Sequence, residues 1–301
     1  MGSAGTPTWL DELEEQCMPI VPHDQTSNQL WVDIQLGDDS NRDLLLETAK
    51  ELKNEGWLAI YTRMAVLMCK KNINSIRGRV LLQTLPSNAF RFQETLHHAR
   101  LYDKEFARAG IGRDRYCIKI PSTGPALNAA KVLSSEGIPT LGTALFSLPQ
   151  AIACSQAGML YISPYYNGNF ITVQEAMAAG EMGCHSATIS HTVLNELAKL
   201  PYVASEQPGP DIPKPAHVYK DAAPVSDRLR KLLSVDPLAG PDWDGKLAST
   251  DVNYLADGGA PLQNAIEADA VTNKRLADAM ALFTGGQERS RAKIEEVLPL
   301  V

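Results

Sequence analysis

The feature that most constrains the fold is a repeated alternation of short apolar runs and amphipathic stretches, which begins at Leu30. Each run has the length of one strand and is apolar on both faces, as in the buried strands of a parallel sheet. The stretches between them carry helix signals, such as the capping-box spacing from Ser147 to Gln150 and the terminating Gly158. The seven predicted strands are residues 30–34, 57–62, 80–85, 116–121, 140–146, 159–164 and 186–189.

This alternation predicts an α/β fold with a parallel sheet, either a closed barrel or an open, doubly wound sheet. No glycine-rich dinucleotide fingerprint follows the first run, and no phosphate-loop motif occurs in the sequence. The absence of both motifs weakens the open nucleotide-binding sheet. It favours a TIM-type (β/α) barrel with a helical C-terminal extension.

The sequence divides into four regions. Residues 1–29 form a polar N-terminal segment, and residues 30–200 form the predicted barrel. A proline-rich connection follows at 201–224, and residues 225–301 have the pattern of a helical extension that covers the barrel.

Composition narrows the class of partner. The net charge is −7 and no basic stripe is visible, which argues against nucleic acid as the main partner. No apolar run is long enough to span a membrane, and no signal peptide is visible. The five cysteines are odd in number and widely spaced, which favours a reducing, cytoplasmic location over a disulfide framework or a zinc site. The sequence leaves open whether the protein forms a homo-oligomer.

Lys119 is the most informative single residue, because it lies inside the apolar run 116–121. A buried ammonium loses several kcal/mol of hydration unless it is paired or releases its proton. A lysine in such a place becomes a nucleophilic amine near neutral pH. The alternative is a lysine at a strand end whose amine reaches solvent.

Other polar residues lie at or near the ends of predicted strands, and the ends of barrel strands converge on one mouth. An aspartate in an apolar strand can move protons, although a helix-cap or rim role is the alternative for Asp33. Together with Lys119, these residues suggest one site. They are Asp33, Gln83, Thr143 and Tyr165.

The central block of the sequence closely resembles the transaldolase family. The resemblance rests on Lys-Ile-Pro-Ser-Thr at 119–123, on Glu-Gly-Ile-Pro-Thr-Leu-Gly-Thr-Ala at 136–144, and on Ile-Ser-Pro-Tyr at 162–165. It is weaker over 30–110 and resumes over 173–200.

The resemblance implies roles for the candidate residues. It implies that Lys119 is the Schiff-base lysine and that Asp33 is the first-strand aspartate that moves protons during C–C cleavage. It also implies that Gln83, Thr143 and Tyr165 hold the catalytic water. The pair of Gln83 and Tyr165 is similar to the fructose-6-phosphate aldolase branch of the family.

Three departures from the family pattern concern substrate binding. The family's second strand ends in Thr-Asn-Pro, and the matching stretch here has Thr62 followed by Arg63, a large cation in place of the neutral Asn. Asn167 follows the sixth strand without the family's phosphate-binding arginine. With Ser163, these residues are the predicted substrate contacts. The third departure is the short stretch between Tyr165 and the next run, which implies that the barrel lacks one βα unit.

We therefore expect a transaldolase-like Schiff-base enzyme that transfers or cleaves a three-carbon ketol unit of a sugar phosphate, as in the pentose phosphate pathway. No cofactor and no metal are expected. Two alternatives remain: a Schiff-base aldolase that acts on a non-phosphorylated ketone, and a catalytically silent binding protein.

Overall fold

A computed structural model describes residues 22–165, 188–189, 191–197, 199–201 and 248–301. The chain divides into two compact units, and the described parts of the larger unit are 22–165 and 248–301. In the described part of the smaller unit, a short helix buries Val193 against Ile189 and Leu197.

Some sequence predictions lie outside the described residues. These are residues 1–21 of the N-terminal segment, the substrate contact at Asn167, the first half of the strand predicted at 186–189, residues 202–224 of the proline-rich connection, and residues 225–247 of the helical extension.

The larger unit contains a parallel sheet curled into half a barrel, in which the spatial order of the strands follows the chain. This arrangement confirms the predicted α/β barrel architecture with missing units and a C-terminal helix. The strands are β1 (Gln25–Thr26), β2 (Val80–Gln83), β3 (Tyr116–Pro121), β4 (Thr140–Leu145) and β5 (Tyr161–Pro164).

Helices lie between successive strands in the chain, and further helices follow the last strand. Within the described ranges, none of these helices combines the length and the apolar character that crossing a bilayer requires. The helices are α1 (Gln29–Leu36), α2 (Arg42–Leu52), α3 (Trp57–Asn72), α4 (Phe92–Arg108), α5 (Gly124–Ser135), α6 (Leu148–Gln156), α7 (His191–Leu197), α8 (Ala260–Ala268) and α9 (Ala270–Val297).

The four later strands confirm the sequence prediction to within one or two residues at each end. Every residue of β2, β3 and β4 is buried, which explains why these strands are visible as continuous apolar runs. The capping box at the start of α6 is also present, with Ser147 as the N-cap and Gln150 as its partner.

The predicted strands at 30–34 and 57–62 are wrong, because both segments are helical. Asn28 caps α1 by accepting hydrogen bonds from the backbone N–H groups of Leu30 (2.9 Å) and Trp31 (3.3 Å). The run at Trp57 continues as α3, and its central residues are fully buried. A helix buried on all sides loses its amphipathic pattern, so a short window of it is indistinguishable from a strand.

The first strand is instead β1, which lies inside the predicted N-terminal segment 1–29. It pairs in parallel with β2, with Gln25 opposite Val80 and Thr26 opposite Leu81. The sheet therefore begins before Leu30, where the sequence placed the start of the barrel.

Helix α9 is continuous over 28 residues. It passes through the pair Gly285–Gly286 without a break. A Cβ atom on Gly286 would lie 3.0 Å from the backbone carbonyl of Gln29, so the glycine allows α9 to approach α1 closely. This approach places α9, the last α-helix among the described residues, against α1, the first of them.

Candidate active site

The inner face of the sheet is defined by strand alternation, because residues two apart on a strand point to the same side. A Cβ atom on Gly142 would meet Cys154 of α6, so Gly142 faces the helices. Its neighbours Leu141 and Thr143 therefore face the opposite, inner side. The register places Lys119 beside both Leu141 and Gln83, so these side chains share the inner face.

An apolar layer lies below Lys119 on this face. Leu81, Cys117 and Leu141 form a buried cluster, against which Tyr161 packs. The amine of Lys119 therefore lies above an apolar layer, near the carboxyl ends of the strands. Such a layer offers no hydrogen bonds to water.

Lys119 is 5% exposed. Its Nζ donates a hydrogen bond to Thr26 Oγ1 at 2.9 Å. Burial lowers the pKa of Lys119 from 10.5 to about 8, because desolvation disfavours the charged ammonium. About a tenth of the amine is then uncharged at pH 7, far more than for an ordinary lysine, and the uncharged amine is the nucleophile.

Gln83 lies next to Lys119 and is fully buried. Within the described part of the chain, neither its amide oxygen nor its amide nitrogen has a hydrogen-bond partner. Buried amides are normally paired. The Gln83 amide is therefore available to a water molecule or to a hydroxyl or carbonyl group of a ligand.

Thr143 and Tyr165 form a hydroxyl pair, with 3.0 Å between Oγ1 and Oη. The ring of Tyr165 packs edge-to-face against Phe146, with the ring centroids 5.6 Å apart. Burial raises the pKa of Tyr165, so the phenol keeps its proton and can donate it in a hydrogen bond.

The end of β4 has an irregular backbone that helps to position this pair. The register with β5 shifts between Gly142 and Leu145, and Ala144 adopts a positive φ of 51°, which is a strained conformation for a residue with a side chain. The Nε2 of Gln150 donates to the carbonyls of Ala144 (3.1 Å) and Ser122 (2.8 Å). Gln150 therefore holds the ends of β3 and β4 together, a role that the capping-box spacing did not reveal.

Asp33 is not on the first strand, as the sequence predicted, but on α1. Its Oδ2 lies 2.6 Å from Nε of Arg289, and its Oδ1 lies 2.7 Å from Nζ of Lys293. The carboxylate is thus neutralised by two cations of α9. The inner-face residue of the first strand is Thr26, which contacts Lys119 where the sequence predicted a carboxylate.

Two predicted substrate contacts lie in the helix layer, because the segment predicted as the second strand belongs to α3. Arg63 forms an ion pair with Glu105 of α4, with 3.1 Å between Nη1 and Oε2. Thr62 donates to the carbonyl of Leu58 at 2.6 Å. The placement of these residues at a strand end was therefore wrong.

Ser163 lies on β5 as predicted and is half-buried. It is two residues beyond Tyr161, so the two side chains share one face of the strand.

Of the residues predicted to form the site, the structure brings Lys119, Gln83, Thr143 and Tyr165 to the carboxyl end of the sheet.

Comparison with known protein families gives a match to the part of the chain that contains the described sheet. Residues 8–170 match the family model described as Transaldolase/Fructose-6-phosphate aldolase, which is more than half of the 301-residue chain. The match includes all five described strands. The resemblance over 173–200 lies beyond the matched range and stays a prediction.

Proposed function

Because the chain belongs to the transaldolase/fructose-6-phosphate aldolase family, we propose that Lys119 forms a Schiff base with a small ketone and supports aldol-type C–C chemistry. The observation that carries this proposal is the buried amine of Lys119, which shares its face of the sheet with neutral hydroxyl and amide groups.

In the first step, the lone pair of the Lys119 nitrogen attacks the ketone carbon. The resulting carbinolamine takes up one proton and loses water, which leaves an iminium ion. The neutral phenol of Tyr165, paired with Thr143, can hydrogen-bond to the departing oxygen. The apolar layer beneath the amine keeps water away from the iminium on that side, and this disfavours hydrolysis of the iminium.

In the second step, the positive nitrogen draws the electron pair of the C3–C4 bond, which breaks to give an enamine on Lys119. The C4 hydroxyl loses its proton as C4 becomes an aldehyde. That proton leaves to solvent through the hydroxyl pair of Thr143 and Tyr165. Addition of the enamine to another aldehyde, or its protonation and hydrolysis, then completes transfer or cleavage.

The substrate we expect from the family is a sugar phosphate that gives up a three-carbon ketol unit, as in the pentose phosphate pathway. Such a substrate requires cations for its phosphate. Three cations of the larger unit are already bound to carboxylates: Arg63 to Glu105, and Arg289 and Lys293 to Asp33. Because Arg63 is the cation that the sequence predicted at the substrate site, its pairing with Glu105 in the helix layer supports a second candidate, an aldolase reaction of a non-phosphorylated hydroxyketone.

The test is reductive trapping with borohydride, followed by mass spectrometry of the peptide that contains residue 119. Dihydroxyacetone and fructose 6-phosphate are offered separately, and Lys119→Met serves as the unreactive variant. Lys131→Met is the matched control, because Lys131 is an exposed lysine on α5. The control should be labelled as the wild type is.

Labelling of Lys119 by fructose 6-phosphate supports the transfer of a ketol unit from a sugar phosphate. Labelling by dihydroxyacetone alone supports the non-phosphorylated substrate. If neither ketone labels Lys119, the protein is a silent relative that binds a ligand without imine chemistry, and the proposal is wrong.

A further inference from the structure

We propose that Thr26 is a positioning residue that holds the amine of Lys119 in both of its protonation states, in the place where the sequence predicted a carboxylate. The purpose we assign to this contact rests on the imine chemistry proposed above. The contact between the two side chains can itself be tested without any substrate.

The backbone fixes Thr26 firmly. Its neighbour Gln25 donates from its N–H to the carbonyl of Arg79 at 3.0 Å. On the other side, Ser27 donates to the carbonyl of Leu81 from both its N–H (2.9 Å) and its Oγ (2.8 Å). With both neighbours bound to β2, the Thr26 hydroxyl has little freedom to move away from Lys119.

The face on which Thr26 lies follows from the register. Thr26 is opposite Leu81, and Leu81 belongs to the apolar layer beneath Lys119. The Thr26 side chain therefore enters the half-barrel from β1, where its Oγ1 meets the amine at 2.9 Å. Gln25 is buried on the opposite, helix-covered face of the same strand.

A hydroxyl differs from a carboxylate in how it pairs with an amine. It can accept a hydrogen bond from an ammonium N–H, or donate its own O–H to the lone pair of the neutral amine. A carboxylate only accepts, and its negative charge favours the ammonium. Thr26 thus orients the nitrogen in both protonation states without placing a negative charge beside it.

The other titratable groups on this face do not outweigh the effect of burial on the pKa of Lys119. Cys117, directly below, and Tyr165 both have a pKa raised by burial, so they are uncharged near neutral pH. At the amino end of the sheet, the Oδ1 of Asp24 accepts from the backbone N–H of Arg79 at 2.6 Å. The Arg79 side chain donates to the hydroxyl of Tyr161 at 3.0 Å.

The experiment compares Thr26→Val, Thr26→Ser and Thr26→Asp with the wild type. The control is Thr140→Val. Thr140 is a buried threonine on the helix-facing side of β4, and its hydroxyl has no partner among the described residues. Thermal melting confirms that each variant is folded.

Two readouts are taken on each folded variant between pH 6 and 11. The first is competitive labelling of Lys119 by acetic anhydride, which needs no substrate. The second is borohydride trapping with dihydroxyacetone.

We expect Thr26→Val to slow trapping at pH 8 by about 3- to 10-fold, the range for loss of one hydrogen bond. Thr26→Ser and Thr140→Val should each stay within about twofold of the wild type, a change smaller than that range. Thr26→Asp should move the midpoint of Lys119 labelling upward by about 1–3 pH units, because it places an opposite charge beside the ammonium.

The proposal is overturned if folded Thr26→Val keeps the wild-type trapping rate, if folded Thr26→Asp keeps the wild-type labelling midpoint, or if Thr140→Val matches the losses of Thr26→Val. Failure of the proposed function has a different signature. The wild type would then show no trapped ketone, while the midpoint of anhydride labelling at Lys119 would still move upward in Thr26→Asp.

Discussion

Replacing Asp33 by asparagine is expected to weaken the fold rather than the chemistry. The Asp33 side chain is 9% exposed and contacts both Arg289 and Lys293 of α9. The asparagine amide would be nearly the same size but uncharged, so the two cations would lose their carboxylate. The backbone carbonyl of residue 33 would still accept from Lys293, as it does now at 2.6 Å.

The magnitude follows from how far each partner is buried. Removing one partner from a fully buried ion pair costs about 3–5 kcal/mol. The cations here are partly solvated, with the Arg289 side chain 56% exposed and the Lys293 side chain 33% exposed. We therefore expect Asp33→Asn to lower the free energy of unfolding by about 1–3 kcal/mol. At about 2–4 °C per kcal/mol, this lowers Tm by roughly 2–12 °C.

The assay combines thermal melting, urea denaturation and borohydride trapping at about 25 °C. The matched control is Asp39→Asn, which changes an exposed aspartate in the same part of the chain. We expect Asp33→Asn to trap dihydroxyacetone at the wild-type rate while it is folded. In the double variant Asp33→Asn/Lys293→Met, the loss should be smaller than the sum of the two single losses, because the residues are coupled.

The reasoning about Asp33 is refuted if the variant keeps the wild-type Tm and loses C–C cleavage by about 10²- to 10⁴-fold, the range for removal of a general base. That result would restore the role in proton transfer that the sequence suggested.

Three further outcomes concern Lys119 and Gln150, and a fourth concerns Tyr165. Trapping at Lys119 should increase with pH through about 8, the lowered pKa of the amine, and a rate that is flat from pH 6 to 10 would contradict this. Lys119→Met should stabilise the fold at pH 7 by about 1–3 kcal/mol in urea denaturation, because the unfolded chain binds a proton more tightly than the buried amine does. That gain should vanish as the pH approaches 10.5, the ordinary pKa of lysine, and equal stability at pH 7 would argue against burial. Gln150→Ala should lower Tm, at a cost of about 1–3 kcal/mol for the buried carbonyls it leaves unpaired, and an unchanged Tm would show that Gln150 does not hold the strand ends. Tyr165→Phe should slow C–C cleavage by about tenfold or more and leave the Tm near that of the wild type, whereas unchanged cleavage would remove Tyr165 from the reaction.

The sequence predicted β2, β3 and β4 well because each is buried on both faces. Such strands must be apolar throughout, so they stand out between polar helix ends. The run of β5 was also visible, although its residues alternate between partly buried and exposed. Lys119, Gln83, Thr143 and Tyr165 could be identified because each interrupts or follows one of these runs.

The first part of the sheet was not predictable in the same way. Strand β1 has only two residues, and its buried member is Gln25, a residue that is usually exposed. The apolar run beginning at Leu30 is a more prominent signal, although Asn28 gives it a helix cap. The role of Asp33 depends on Arg289, which lies 256 residues further along the chain, and no local pattern can show such a contact.

The contact between α1 and α9 also sets an order of events during synthesis. Asp33 is made before Lys293, which lies 260 residues further along the chain, so the carboxylate has no counter-charge from α9 while the intervening residues are being made. Closing so long a loop is slow and entropically costly. Nascent or shortened chains that stop before α9 should therefore expose the surface of α1, where Gln29 meets Gly286 in the folded protein, and become targets for chaperones or proteases.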